Sequence, residues 1–279
     1  MIKSYCKINL SLKVIKKKKK GLHDIQTNSF LLNLHDEINI KKLNKKKDII
    51  IFKGPFKNMV KNSKNSLTIT LNLLRKKRLI RKDNFYRITV NKKIPIFSGL
   101  GGGTSNAAFI LKYFLKKKYD KKILSIFEKK VGSDLRLFFY NQTFQKNLKT
   151  ILKYKKKFNF HFVLIYPNIK CSTKEIYSKV KKFSKPAKVR VTNITDRSDF
   201  IREIRGEKNE LQKILTSKFN RIKKIINFIS IQKGCYFSRM TGSGSTCYGM
   251  FNSQKTAILG MKIIKNKFPS YWCVATKTI

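Results

Sequence analysis

Ile96-Phe97-Ser98-Gly99-Leu100-Gly101-Gly102-Gly103-Thr104-Ser105-Asn106-Ala107-Ala108 is the stretch on which the reading of this chain turns. Its four glycines let the backbone come close to an anion and take conformations that side chains forbid. Ala108, Leu111, Phe114 and Leu115 then fall on one helical face. Thr104 or Ser105 is expected to cap that helix, leaving its first N–H groups pointing at the loop, where they favour an anion. Small Ala107 and Ala108 allow close packing behind it. No Gly-Lys-Ser/Thr closes the loop, so it is not a Walker A motif. The spacing is also wrong for the dinucleotide fingerprint. The bland alternative is a glycine-rich turn that binds nothing.

Working outward, Ile8, Leu10, Leu12 and Val14 alternate with Lys7, Asn9, Ser11 and Lys13, the pattern of a half-buried strand. That strand sets Lys7 and Asn9 side by side on its polar face. Further strands are expected at 25–34, 38–40, 49–52 and 86–90, with a turn at 16–21. A helix is expected over 66–79, capped by Ser66, and another over 121–131, ending at Gly132. Asp134, one of only 14 acidic residues, directly precedes the apolar 135–140. It reads either as a cap or as a proton acceptor for a hydroxyl, with Lys7 as a partner that would keep it ionised. From 158 onward the pattern suggests a second domain. It has a strand at 158–166, helices over 209–231, and two strands flanking Gly242-Ser243-Gly244-Ser245. A helix at 254–268 and a strand at 272–277 complete it. Residues 181–208 are charged and poorly patterned.

The 279 residues carry a formal net charge of +51, with 65 Lys and Arg against 14 Asp and Glu. Such a charge can signal nucleic acid or an anionic membrane. Here Lys far exceeds Arg, and Ile, Asn and Phe are also frequent, which is the signature of A/T-rich codons. The Lys runs at 16–20, 45–47 and 155–157 lack the interleaved aromatics that stack on bases. No specific nucleic acid and no membrane partner are expected. No apolar run reaches the roughly 20 residues needed to span a bilayer. The N-terminal stretch lacks a signal peptide's apolar core, so a cytoplasmic protein is expected. Five cysteines without a CxxC pair read as free thiols, and the three histidines form no metal-ligand cluster in the sequence.

Taken together, Lys7-Ile8-Asn9-Leu10, the segment from Pro95 to Ala108, and the segment from Met240 to Gly249 resemble the superfamily of galactokinase, homoserine kinase, mevalonate kinase and phosphomevalonate kinase (GHMP). Gly21-Leu22-His23-Asp24-Ile25-Gln26, the triple glycine before Thr104-Ser105-Asn106 and Gly132-Ser133-Asp134 are most similar to members that act on a cytidine-diphosphate-linked alcohol. The likeness runs from Lys7 to Gly249. It implies an α+β fold of two domains, at 1–155 and 156–279, with the active site in the cleft between them.

The resemblance also implies ATP with Mg²⁺, and phosphoryl transfer to the 2-hydroxyl of a methylerythritol group on a route to isoprenoids. Lys7 and Asp134 match the catalytic pair. Pro95, Gly99, Leu100, Gly101, Gly102, Gly103, Thr104, Ser105 and Asn106 match the nucleotide loop. Lys92 and Asn65 or Ser66 would lie on the adenosine side, and Ser105 could reach the metal or a phosphate. Asn9, Gly242, Ser243 and Gly244 fall to the alcohol substrate, with His23 and the aromatic Tyr177 at its cytidine end. Leu22 stands where a Tyr is usual, which removes one stacking face. A homoserine or mevalonate type of kinase is the nearest alternative, and a basic nucleic-acid-binding protein a more distant one.

Overall fold

The computed structural model describes residues 1–18, 21–60, 65–116, 118–187 and 189–279. Lys19 and Lys20, in the expected turn, lie outside them. In chain order the strands are β1 (Ile2–Lys17), β2 (His23–Leu43), β3 (Ile49–Lys53), β4 (Phe85–Asn91), β5 (Gln142–Gln145), β6 (Ile151–Lys153), β7 (His161–Tyr166), β8 (Cys235–Met240), β9 (Cys247–Phe251) and β10 (Trp272–Lys277). The helices are α1 (Ser66–Lys76), α2 (Gly102–Leu115), α3 (Lys121–Val131), α4 (Thr173–Ser178), α5 (Arg197–Gly206), α6 (Glu210–Lys218), α7 (Asn220–Ser230) and α8 (Gln254–Lys267). The chain is α+β, as the resemblance implies.

The chain forms two compact units, and they do not follow the expected division at 155/156. The first comprises Met1–Cys6, Leu34–Ile96 and Gly101–Phe139; the second comprises Lys7–Asn33, Phe97–Leu100 and Tyr140–Ile279. The reason is strand length. The segments expected as two strands at 25–34 and 38–40 are one strand, β2, and both β1 and β2 run long enough to contribute residues to each unit.

In the first unit, residues 37–43 of β2 pair antiparallel with β4, and β3 pairs parallel with β4. Helix α1 packs against α2 and α3, and α2 and α3 both pack against the 3-10 turn Leu135–Phe139. Asn65 caps α1 by accepting from the N–H groups of Leu67 and Thr68, both at 3.0 Å. Ser66, the expected cap, instead donates its hydroxyl to the carbonyl of Gly103 at 2.8 Å, which ties the start of α1 to the first turn of α2. Asn outranks Ser here because it is the last extended residue before the helix.

In the second unit, β10, β7, β9 and β8 form an antiparallel sheet in that order, and residues 27–30 of β2 pair with β5, which pairs with β6. Ile222, Ile225, Ile226 and Ile229 of α7 recur at i, i+3, i+4 and i+7. They are buried in one core with Val163, Ile165, Met240, Cys247 and Phe251. Helix α5 rises within the stretch read as unpatterned. Asp196 caps it through the N–H of Asp199 at 2.9 Å, and only Phe200 and Ile204 are buried. Two apolar anchors in ten residues are too few to stand out in the sequence. All five cysteines are free. No helix among the described residues is long and apolar enough to cross a membrane.

Candidate active site

Lys7, the lysine expected to act in catalysis, lies in the second unit. Burial forces the Lys7 side chain to find partners for its ammonium. It donates to Oδ1 of Asn9, its neighbour two residues along the same strand face, and to the carbonyl of Gly99 at 3.0 Å. The Lys7 N–H also donates to the Leu100 carbonyl at 3.1 Å, so strand and loop are held by backbone and side chain at once. Asn9 is bonded all round. Its N–H donates to Oγ1 of Thr241 at 2.9 Å and its Nδ2 to Oγ1 of Thr27 at 2.8 Å.

The two glycine loops, about 140 residues apart in sequence, lie backbone against backbone here. The Thr246 N–H donates to the Ser98 carbonyl at 3.1 Å. A Cβ on Gly99, where φ is +80°, would stand 2.4 Å from the Thr241 carbonyl oxygen. One on Gly242, at φ +56°, would stand 3.0 Å from the Gly99 oxygen and 3.3 Å from Nζ of Lys7. Neither position has room for a side chain, because backbone atoms and the Lys7 ammonium occupy that space. Asn209 holds the second loop from the other side, its Nδ2 donating to the carbonyls of Met240 at 2.7 Å and Gly242 at 2.8 Å. The buried guanidinium of Arg239 reaches the carbonyls of Leu10, Ile204 and Arg205, each at 2.8 Å, and so fixes β1 one residue from Asn9. Ser243 shares a hydrogen bond with Oγ1 of Thr173 at 3.0 Å. At the start of β2, His23 lies 5.1 Å from the Tyr177 ring. Burial and then the charge of Lys17 hold its imidazole below the usual histidine range.

The first unit contains Asp134 and most of the residues expected at the nucleotide. Helix α2 begins at Gly102, with Gly101 in the cap position, so neither Thr104 nor Ser105 is the expected cap. No side chain caps this helix and its first turn holds no acidic residue, which leaves first-turn N–H groups for an anion. Asp134 lies beside that turn. The point where a Cβ of Gly132 would sit is 2.8 Å from Oγ1 of Thr104 and 3.2 Å from Oδ1 of Asp134. Asp134 opens the 3-10 turn, its carbonyl accepting from Leu137 at 3.1 Å.

Three residues expected at the nucleotide belong to the interior instead. Lys92 is buried in an ion pair with Asp36 and donates to Oδ1 of Asn106 at 3.1 Å, so its ammonium is already engaged in the interior. Asn106 uses its Nδ2 on Ser4 at 3.0 Å and on Asp36 at 2.9 Å. The Ser105 hydroxyl is buried on the Tyr5 carbonyl at 2.6 Å and beside Oγ of Ser4 at 2.8 Å. Pro95 and Leu100 are likewise buried, shaping the loop rather than presenting a polar group. Asp36 organises this cluster, since it also accepts from the N–H groups of Lys93 at 2.8 Å and Ile94 at 3.0 Å, just before the glycine loop.

Asp36, Thr27, Thr241 and Asn209 act through long-range bonds, so the sequence offered a local hint only for Asn209, an Asn directly before a helical run. We expect Lys92→Met to lower unfolding stability by about 3 kcal/mol, the lower end for breaking a buried pair, because Asp36 keeps three N–H donors. The KM for ATP should stay within twofold. Urea denaturation with parallel kinetics checks both.

Comparisons with known proteins converge on one group. The GHMP kinases N terminal domain matches residues 65–133 and the GHMP kinases C terminal family matches residues 193–269. The chain is 35% identical to the 4-diphosphocytidyl-2-C-methyl-D-erythritol kinase of Pelagibacter ubique, over 100% of this chain and 98% of that protein. It is 32% identical to the protein of the same name from Wolbachia pipientis wMel, over the whole of both chains. A crystal structure of 4-(cytidine 5'-diphospho)-2C-methyl-D-erythritol kinase superposes with a TM-score of 0.72 at 20% identity, covering 99% of this chain and 98% of that one. At that identity the superposition speaks for the fold.

Proposed function

We infer the reaction from descent and geometry together: the chain belongs to the GHMP kinases, and within them to the 4-diphosphocytidyl-2-C-methyl-D-erythritol kinases. It is an ATP-dependent kinase that phosphorylates the 2-hydroxyl of 4-diphosphocytidyl-2-C-methyl-D-erythritol, a cytoplasmic step on the route to isoprenoids. The observation that carries this reading is the buried Lys7 ammonium at the junction of the two glycine loops. A turn without ligand needs no buried cation there.

The triphosphate of ATP is assigned to the first turn of α2, where N–H groups that no side chain caps would offset its charge. Bound Mg²⁺ would neutralise phosphate charge further. Among the described residues no cluster of three or more His, Cys, Asp or Glu could hold a metal by itself, so the chain's donor set suits an ion held mainly by phosphates and water, with Asp134 the nearby carboxylate.

Asp134 accepts the proton of the 2-hydroxyl as its oxygen bonds the γ-phosphorus. The bond from that phosphorus to the bridging oxygen breaks, and ADP leaves with the electron pair. Lys7 stabilises the charge that develops on the transferring group. Asn9, Gly242, Ser243 and Gly244 position the alcohol, and His23 with Tyr177 receives the cytidine.

Purified protein incubated with ATP and a panel of alcohols tests this reading. ADP should appear with the cytidine-diphosphate-linked alcohol and not with homoserine or mevalonate. Turnover of either of the latter in its place would overturn the assignment.

A further inference from the structure

His23 has a second aromatic neighbour besides Tyr177. The ring of Phe183 lies 6.3 Å from it, with the two planes 28° apart. Phe183 is 45% exposed, and Leu22, next to His23 in the chain, is 49% exposed. An exposed phenyl ring on a loop is ordinarily free to swing. The backbone carrying this one is pinned along its length. The Ser184 N–H donates to the Val14 carbonyl at 2.9 Å, and the Ser184 hydroxyl is bonded to the Glu210 carboxylate. Glu210 also accepts from the Val14 N–H at 2.6 Å, and the Ala187 N–H donates to Oε1 of Gln26 at 2.7 Å. Three of these hydrogen bonds order a segment whose one large apolar side chain stays 45% exposed beside an imidazole. Ordering a chain costs entropy, and burying Phe183 only in part offsets little of it.

We propose that Phe183 is a substrate-binding residue, supplying an aromatic face on which the nucleobase of the cytidine diphosphate group stacks and so taking over the role that Leu22, being aliphatic, cannot fill. This rests on the reading of the substrate above. A flat π-face is what a base needs and an aliphatic side chain lacks. His23, held below the usual histidine range by burial and then Lys17, stays a neutral ring at neutral pH, so the stack carries no added positive charge.

Calorimetric titration of the full chain with CDP tests the idea. Phe183→Ala should weaken CDP binding by about 5- to 150-fold, the range expected for loss of one base–aromatic stack. Phe183→Tyr should restore it to within about threefold, and Leu22→Tyr placed in the Phe183→Ala background should recover part of the loss. The thermal midpoint and the KM for ATP should not move, because the ring is half-exposed and lies outside the residues assigned to ATP. CDP affinity unchanged in Phe183→Ala, or a loss that Phe183→Tyr does not repair, would overturn the proposal. If the wild type binds CDP tightly yet phosphorylates no cytidine-linked alcohol, the reaction assignment fails while the stacking platform stands. If it turns over that alcohol and Phe183→Ala binds CDP normally, the platform alone fails.

Discussion

Asp134→Asn is expected to lower kcat by about 10²- to 10⁴-fold, the usual worth of a positioned general base, with the KM for ATP within about threefold of wild type. The amide matches the carboxylate in shape, and the backbone bond from Leu137 to the Asp134 carbonyl does not depend on the side chain. The 3-10 turn and the first turn of α2 therefore keep their form, and only proton acceptance is lost. Glu128 offers an independent readout. Burial raises its carboxyl above the usual range, Arg136 opposes that, and the negative charge of Asp134 adds a smaller push upward. Removing the Asp134 charge should bring the Glu128 titration down, observable by NMR whether or not substrate is present. Steady-state kinetics at saturating ATP decide the catalytic claim, and an Asp134→Asn enzyme with wild-type kcat would sink the assignment of the base.

Lys7→Met should lower kcat by about 10²- to 10³-fold, the scale for removing one preorganised electrostatic stabiliser. Met keeps most of the aliphatic length and discards the ammonium. The structural cost is separable. Oδ1 of Asn9 and the Gly99 carbonyl each lose a donor, worth about 1–3 kcal/mol where such a group stays buried. The denaturation midpoint should therefore fall modestly while the protein remains folded. Arginine should not rescue it. Gly242 closes to within 3.3 Å of Nζ at the point where its own Cβ would sit, and the broad guanidinium needs more space than one ammonium. A Lys7→Met protein that retains kcat within threefold of wild type would show that Lys7 only braces the loops. Circular dichroism on both variants ensures that lost activity is not lost fold.

Much of this was legible in the residues because it is written locally. The alternation from Ile8 to Val14, the isoleucine spacing of α7 and the glycine run before α2 each encode their element within one window of sequence. The short strands β5 and β6 and the two-anchor helix α5 were not legible, since their stability comes from neighbours far along the chain. The same distinction bears on the expected site residues. Ser105 and Asn106 sit in the glycine-loop motif and Lys92 just before it, but a motif does not say which way a side chain points, and these three point into the Asp36 and Ser4 cluster.

By itself the sequence determined that a glycine loop feeds a helix start, that Lys7 and Asn9 share a strand face, and that a second glycine loop follows 140 residues later. Those are matters of periodicity and of backbone freedom, both local. Only the tertiary structure decided that the two loops meet at Lys7, that Gly101 leaves α2 without a side-chain cap, and that Phe183 is pinned beside His23. Those depend on hydrogen bonds between residues tens to hundreds of positions apart, which exist only once β1, β2 and the sheet of the second unit have set the register that brings the donors to their acceptors.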